Sequence, residues 1–233
     1  MSDIFSTLKL PDMITLLNAL CGFGAIVATQ NGMLHLSCIL ILIAAIADGL
    51  DGSLARYVGG SEIGGALDSL ADVISFGVAP AIIISSYMGN EYFTLAAVCF
   101  YLICGILRLA RFSISKSDNA FFKGLPITAG GITVSAIILV DKGYFQPIAM
   151  AVGCLILGLL MVSSVPYMKI RSKKKTLPLT LIFAIPIFSY FLNATLTSTF
   201  TAPLLVTMML YLVSPLYIKN REKEVHEHNK QPN

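Results

Sequence analysis

Eight apolar stretches of near-bilayer length run along this 233-residue chain, at roughly 13–30, 33–56, 64–88, 91–113, 125–141, 143–164, 176–193 and 199–218. A helix needs about 20 apolar residues to cross the hydrocarbon core. In lipid every backbone N–H and C=O must be satisfied within the spanning structure, which a helix does by itself. The fold class expected is therefore all-α, a polytopic transmembrane bundle of about eight spans. Composition agrees, with 56% hydrophobic and 12% charged residues and a mean hydropathy of +0.79. A soluble domain carries about twice that share of charge. Met1 to Leu10 holds one lysine and no apolar core ahead of a small-residue cleavage site, so no cleavable leader is expected. Residues 4–10 suit a short amphipathic turn lying on the membrane surface.

The basic residues set the expected orientation. Eight spans put both termini on one side with the loops near 57–63, 114–124 and 165–175. That side then holds 15 of the 16 lysines and arginines, and the other side only Lys142. The positive-inside rule makes it the cytoplasmic side of the cell membrane. The tract Arg171-Ser172-Lys173-Lys174-Lys175 reads as a topology anchor beside anionic lipid headgroups rather than as a nucleic-acid site. The five cysteines, Cys21, Cys38, Cys99, Cys104 and Cys154, all fall within expected spans without metal or redox spacing, and read as small packing residues. Beyond Lys219 the chain is polar and mixed in charge, with His226 and His228 solvated in a tail expected to be disordered or loosely helical.

Against this apolar background stand four aspartates, Asp48, Asp51, Asp68 and Asp72. A carboxylate at membrane depth costs roughly 2.5–3.5 kcal/mol on insertion scales, so four together need compensating charge. One or two divalent metals bridged by a phosphate supply it. At ~1.5 Å rise per residue, Asp51 and Asp48 lie about 7–8 and 12 Å up from the end of the second helix near Arg56, and Asp68 and Asp72 about 6 and 12 Å into the third from Gly64. The spacings i,i+3 and i,i+4 put each pair on one helix face. The seven-residue loop Tyr57 to Ile63 makes the two helices neighbours, so the four carboxylates can converge. Gly49, Gly52, Gly64 and Gly65 remove side chains around them. That would let a pyrophosphate approach the backbone with Arg56 at the rim, or simply let helices pack closely.

The pattern Asp51-Gly52-x2-Ala55-Arg56-x7-Gly64-x3-Asp68-x3-Asp72, preceded by Asp48, resembles the signature of the CDP-alcohol phosphotransferases, integral membrane enzymes that make phospholipid headgroups. The usual signature has eight residues before its glycine where this chain has seven before Gly64; Gly65 would restore eight but break the spacing to Asp68. The resemblance implies a two-metal mechanism using Mg2+ or Mn2+. A cytidine diphosphate lipid of the CDP-diacylglycerol type binds with its pyrophosphate on the metals, an alcohol attacks the lipid-bearing phosphate, and cytidine monophosphate leaves. Asp48, Asp51, Asp68 and Asp72 would be the metal ligands, with Asp72 also the general base. Asp48, Gly52, Ala55, Arg56, Gly64 and Asp68 would contact the nucleotide lipid. A six-helix core and a homodimer are further implications.

For the acceptor, Leu67 to Ala81, Leu107-Arg108-Leu109-Ala110-Arg111-Phe112 and Lys123-Gly124-Leu125-Pro126-Ile127 look like the serine-using members of the family, and the opening Pro11-Asp12-Met13-Ile14-Thr15-Leu16-Leu17-Asn18 fits with Asp12 in place of the usual Asn. Glycerophosphate-using relatives tend to carry a proline after the third aspartate and a lysine after the fourth; here Ser69 and Val73 stand there. The expected acceptor is L-serine, with glycerol 3-phosphate, inositol phosphate or choline as alternatives. Serine's carboxylate needs a cation, and Arg108, Arg111 and Lys123 are the candidates, although all three would also serve as inside-positive anchors. The expected organisation is a juxtamembrane segment at 1–12, a catalytic core at 13–165, a basic loop with two additional helices at 166–218, and a cytoplasmic polar tail at 219–233. An intramembrane prenyltransferase carries its two aspartate motifs far apart, whereas these four fall within 25 residues. A transporter built from inverted repeats would show a second acidic half, and no mid-span acid follows residue 120.

Overall fold

The computed structural model describes residues 7–89, 91–114, 121–141, 143, 145–168, 173–193 and 196–228, with the side chains of 121, 122, 168, 173–181 and 216–228 left aside. The apolar stretches become helices in order: α1 (Leu10–Gln30), α2 (Leu34–Val58), α3 (Gly64–Asp72), α4 (Ala79–Met88), α5 (Tyr92–Ile114), α6 (Ile127–Val140), α7 (Pro147–Val162), α8 (Lys173–Leu192) and α9 (Thr197–His228). A π turn, Val73–Val78, fuses α3 and α4 into one span from Gly64 to Met88. Among the described residues, five helical units are long and apolar enough to cross a membrane, namely Leu10–Gln30, Leu34–Val58, Gly64–Met88, Tyr92–Ile114 and Thr197–Pro215. Ile127–Val140, Pro147–Val162 and Ile182–Leu192 are apolar but shorter. The chain is an all-α, multi-pass membrane protein. The surface of α1 shows its solvent, because Leu10, Met13, Leu17 and Leu20 form an exposed apolar stripe at helical spacing.

Two small additions to the expected bundle lie at the end that carries the aspartates. Phe121–Lys123 (β1) and Pro166–Met168 (β2) pair antiparallel, with Lys123 opposite Pro166. The chain after Lys219, expected to be disordered or loosely helical, continues α9 as helix to His228. Part of the juxtamembrane segment and the tail beyond His228 lie outside the described residues.

The π turn sits at the centre, in contact with α1, α2, α5 and α6. Its backbone shifts to i→i−5 pairing, with the Ala79 N–H on the Ile74 carbonyl. Pro80 has no N–H to return to the preceding turn, and the Phe76 carbonyl accepts the buried Tyr101 hydroxyl of α5 at 2.7 Å. Ser75 donates to the Asn18 carbonyl of α1 at 2.8 Å. Glycines permit these close approaches. A Cβ at Gly22 would meet the Ser75 backbone Cα at 2.7 Å, and one at Gly131 the Phe76 Cα at 3.2 Å. The core around the turn is closed by Ile39, Ile41, Leu42, Ile83, Ile84, Ile127, Ile138 and Leu139, all buried.

Candidate active site

The first helix frames the site through a polar face in an otherwise apolar segment. Asp12, Thr15 and Asn18 recur every third residue and are all buried. Asp12 accepts the Lys9 N–H at 2.7 Å and so caps its own helix. It also accepts the Ser61 hydroxyl at 2.9 Å, while the Lys9 ammonium donates to the Gly60 carbonyl at 2.7 Å. These bonds tie the loop between α2 and α3 to the start of α1. The turn that joins the two aspartate-bearing helices is thereby held in place.

Those helices bring the carboxylates together at the depth their spacing requires. Carboxylate oxygens of Asp48, Asp68 and Asp72 all lie within 4.8 Å of one another, with Asp72 buried and the other two partly so. Two of the three carboxylates also accept a side-chain hydrogen bond. Thr128 of α6 donates to Asp48 Oδ2 at 3.1 Å, and the Asn18 amide to Asp72 Oδ1 at 3.3 Å. Asp51 is the exception among the four. It is buried and turned to Thr15, whose hydroxyl donates to its Oδ2 at 2.6 Å, so it borders the cluster of three instead of joining it. A set of three anionic oxygen donors suits a hard divalent cation. The residues present fit the metal chemistry.

The glycines divide into two kinds. A Cβ on Gly49 or Gly65 would meet nothing within 4 Å, and one on Gly52 only the tip of Arg56 at 3.7 Å. Close helix packing therefore does not account for them, and the space before them is open. Gly64 differs, because a Cβ there would press on Asp12 Oδ1 at 3.0 Å and Ser61 Oγ at 3.2 Å. Its role is to admit the loop latch. Arg56 lies exposed at the rim with one guanidinium nitrogen 3.1 Å from Ser53 Oγ, and Ala55 stands partly exposed beside it.

The three expected acceptor cations occupy unlike settings. Arg108 is buried, on α5, within electrostatic range of Asp72 and Asp48, and lies 5.9 Å from the centroid of the Phe112 ring. Arg111, one turn further on, spreads its guanidinium over backbone carbonyls: Lys123 at 2.7 Å, Val162 and Ser163 each at 3.1 Å, and Met161 at 3.3 Å. It caps the C-terminus of α7 and ties β1 to α5, which is structural work that a carboxylate ligand would have to displace. Lys123 is exposed on β1. Of the three, Arg108 is the one the fold puts beside the carboxylates.

Asn18 and Thr128 carry hydrogen bonds to the cluster, and Thr15 one to Asp51 beside it, that spacing arguments about acidic residues do not reach. For Thr15 and Asn18 the signal was available in the sequence, as polar residues set about one turn apart in an apolar helix.

A membrane-embedded helical bundle with a converging aspartate cluster at one end, open in front of small residues, defines the class: a lipid-modifying transferase of the bilayer. Residues 8–185 match the CDP-alcohol phosphatidyltransferase family, and the chain belongs to it. Divalent metals are the family's cofactors. Among curated relatives, the chain is 39% identical to archaetidylserine synthase of Methanothermobacter thermautotrophicus over 72% of each chain. It is 36% identical to CDP-diacylglycerol–serine O-phosphatidyltransferase of Methanocaldococcus jannaschii over 74% of this chain and 80% of the relative. The enzyme of that name from Helicobacter pylori strain J99 is 34% identical over 87% of each chain, more than residues 8–185 span. The likeness therefore runs into the last two helices.

Proposed function

We propose that this protein transfers the phosphatidyl group of a CDP-diacylglycerol-type lipid, or its ether-linked counterpart, to the hydroxyl of L-serine, releasing cytidine monophosphate. The observation that carries the reading is the meeting of Asp48, Asp68 and Asp72 within 4.8 Å, with Arg108 buried beside Asp72. The relatives support it, since their names share serine and differ in the lipid group joined to it.

Two divalent cations, Mg2+ or Mn2+, held by Asp48, Asp68 and Asp72 with Asp51 alongside, would offset the pyrophosphate charge and orient the displacement. The remaining steps belong to the chain. The open space before Gly49, Gly52 and Gly65 admits the nucleotide lipid, with Ala55 and Arg56 at its rim. Arg108 holds the serine carboxylate through its planar pair of donors. Asp72 takes the proton from the serine hydroxyl as that oxygen bonds to the lipid-bearing phosphorus and the bond to cytidine monophosphate breaks. Asn18, whose amide donates to Asp72 Oδ1, leaves the other oxygen of that carboxylate to receive the proton. The site end faces the cytoplasm, a reading supported by the 15-to-1 division of basic residues. A homodimer, as the family resemblance implies, is part of the same reading.

The test is cytidine monophosphate release by the purified protein in detergent, with CDP-diacylglycerol and each acceptor in turn, with and without Mg2+ or Mn2+. Serine-dependent release that requires a divalent cation is expected. Turnover with glycerol 3-phosphate, inositol phosphate or choline but not serine overturns the acceptor.

A further inference from the structure

One stripe of α2 runs along the open space before its glycines. Gly49, Gly52, Ser53 and Arg56 stand at positions i, i+3, i+4 and i+7, so they share one helix face. The pattern that the family shares fixes Gly52, Ala55 and Arg56 but leaves the place of Ser53 open. The structure gives that side chain two bonds. Its hydroxyl donates to the Gly49 carbonyl one turn back, at 2.8 Å. Its oxygen accepts from Nη2 of Arg56, one turn on, at 3.1 Å. A Cβ added at Gly52 would lie 3.7 Å from the other terminal nitrogen, Nη1, so the arginine is folded back along the helix.

The direction of the two bonds decides what they can do. A hydroxyl has one proton and two lone pairs. Bonding to the carbonyl four residues earlier commits the Ser53 proton and leaves its lone pairs for a donor. A guanidinium has five N–H donors in a rigid plane and no acceptor, so one bond to Ser53 fixes the plane and leaves four donors for a ligand. Both side chains are exposed. An arginine free at such a position samples many rotamers and loses that freedom when it binds. The Ser53 hydroxyl supplies part of the order beforehand. Being neutral, it also leaves the positive charge available to a phosphate.

We propose that Ser53 is a positioning residue for the nucleotide lipid, holding Arg56 folded over Gly52 with its remaining donors presented to the pyrophosphate. The proposal rests on the reading above that Arg56 borders the CDP-lipid, and it adds the residue that aims the guanidinium.

The test is a double-mutant cycle in the cytidine monophosphate assay, with KM measured separately for CDP-diacylglycerol and for whichever acceptor the wild type turns over. Ser53→Ala raises the KM for the CDP-lipid about two- to tenfold, the scale of ordering one rotamer-rich side chain. The kcat and the acceptor KM stay at their wild-type values, as they do when only ground-state binding is lost. The melting temperature stays at or above wild type, because alanine is the better helix former. Ser53→Thr keeps the hydroxyl and holds the CDP-lipid KM near wild type. Arg56→Ala raises that KM further, and adding Ser53→Ala to it changes nothing more, since a residue that acts through Arg56 has no effect once Arg56 is gone. An unmoved CDP-lipid KM in Ser53→Ala beside a defective Arg56→Ala overturns the proposal. An equal rise in both KM values overturns it too, as does a Ser53→Ala effect that persists in full without Arg56. A CDP-lipid KM unmoved by Arg56→Ala instead overturns the placing of Arg56 beside the nucleotide lipid, and this proposal with it.

Discussion

Thr15 and Asp51 share a 2.6 Å hydrogen bond between α1 and α2, and that bond turns one of the four aspartates aside from the other three. The Pro11 carbonyl also lies 3.2 Å from the Thr15 hydroxyl, but the hydroxyl's single proton goes to the nearer, charged acceptor, Asp51. Groups that orient ligands from behind commonly change metal affinity or activity by about 10- to 100-fold when removed. Thr15→Val is expected to shift the Mg2+ or Mn2+ titration of cytidine monophosphate release to higher concentration by a factor in that range. Thr15→Ser retains the hydroxyl and is expected to stay near wild type. Identical titrations for the valine and serine variants would show that Asp51 has no part in cation binding.

Asp72 is expected to be the residue whose loss is most specific to chemistry. Asp72→Asn preserves volume and still accepts the Asn18 amide through its own oxygen, so the fold is retained. General-base contributions run at about 10²- to 10⁴-fold. The expected result is a kcat lower by that factor with little change in the KM for the CDP-lipid. A near-wild-type kcat would remove Asp72 from the proton transfer.

The cluster makes opposite demands on stability and on function. Three carboxylate groups with oxygens within 4.8 Å repel one another when no cation intervenes. Like charges at such separations cost on the order of 1–4 kcal/mol, depending on the effective dielectric. Asp68→Asn is therefore expected to raise the melting temperature of the chelator-treated protein and to abolish the stabilisation that added Mn2+ confers on wild type. Thermal melts with and without chelator check both signs. A wild-type protein whose melting point ignores Mn2+ would argue against a bound cation.

Glycine substitutions separate packing from access. At Gly22 an added methyl runs into the Ser75 backbone, so Gly22→Ala is expected to lower stability by about 1–3 kcal/mol, the usual cost of overpacking. At Gly49 nothing stands within 4 Å, and alanine is about 1 kcal/mol better than glycine within a helix. Gly49→Ala is therefore expected to melt at or above the wild-type temperature while raising the KM for the CDP-lipid. If its KM is unchanged, the open space before Gly49 is not where the nucleotide lipid sits.

Arg111 tests the clamp. Lysine carries one compact ammonium where the arginine reaches four carbonyls, so Arg111→Lys is expected to lower the melting temperature even though charge is conserved. The KM for serine should move less than in Arg108→Lys. The reverse ranking would make Arg111 the carboxylate partner.

Much of this was legible in the sequence where one strong physical term dominates. Runs of apolar residues had to become helices, and three of the four aspartates expected to converge, Asp48, Asp68 and Asp72, come together, while Asp51 turns aside to Thr15. Features that rest on small differences were not legible. A one-residue change of hydrogen-bond register inside an all-apolar span leaves no trace in hydrophobic periodicity, so the π turn was invisible, although Pro80 shortly after it was a local hint. Three-residue strands are too short to pattern, which hid the β1–β2 ladder. Arg111 has the same composition signal as any inside-positive anchor, and only coordinates separate a guanidinium on carbonyls from one facing headgroups. Gly64 looked like part of a phosphate cradle because a sequence cannot say what a missing side chain makes room for. Here it makes room for Asp12.

The π turn has one more consequence, concerning angle rather than packing. An α-helix turns by about 100° per residue, so the extra residue carried by the wider turn resets the azimuth of everything on one side of it relative to the other. Asp68 and Asp72 lie before the turn, and Ser75, Phe76 and the faces of α4 follow within and after it. A single rod could not aim both sets correctly. The turn acts as a coupling that lets the lower half of one span be indexed to the carboxylates of α2 while the upper half is indexed to its lipid and core neighbours. Deleting one residue within Val73–Val78 would leave every residue type in place and rotate the two halves out of step.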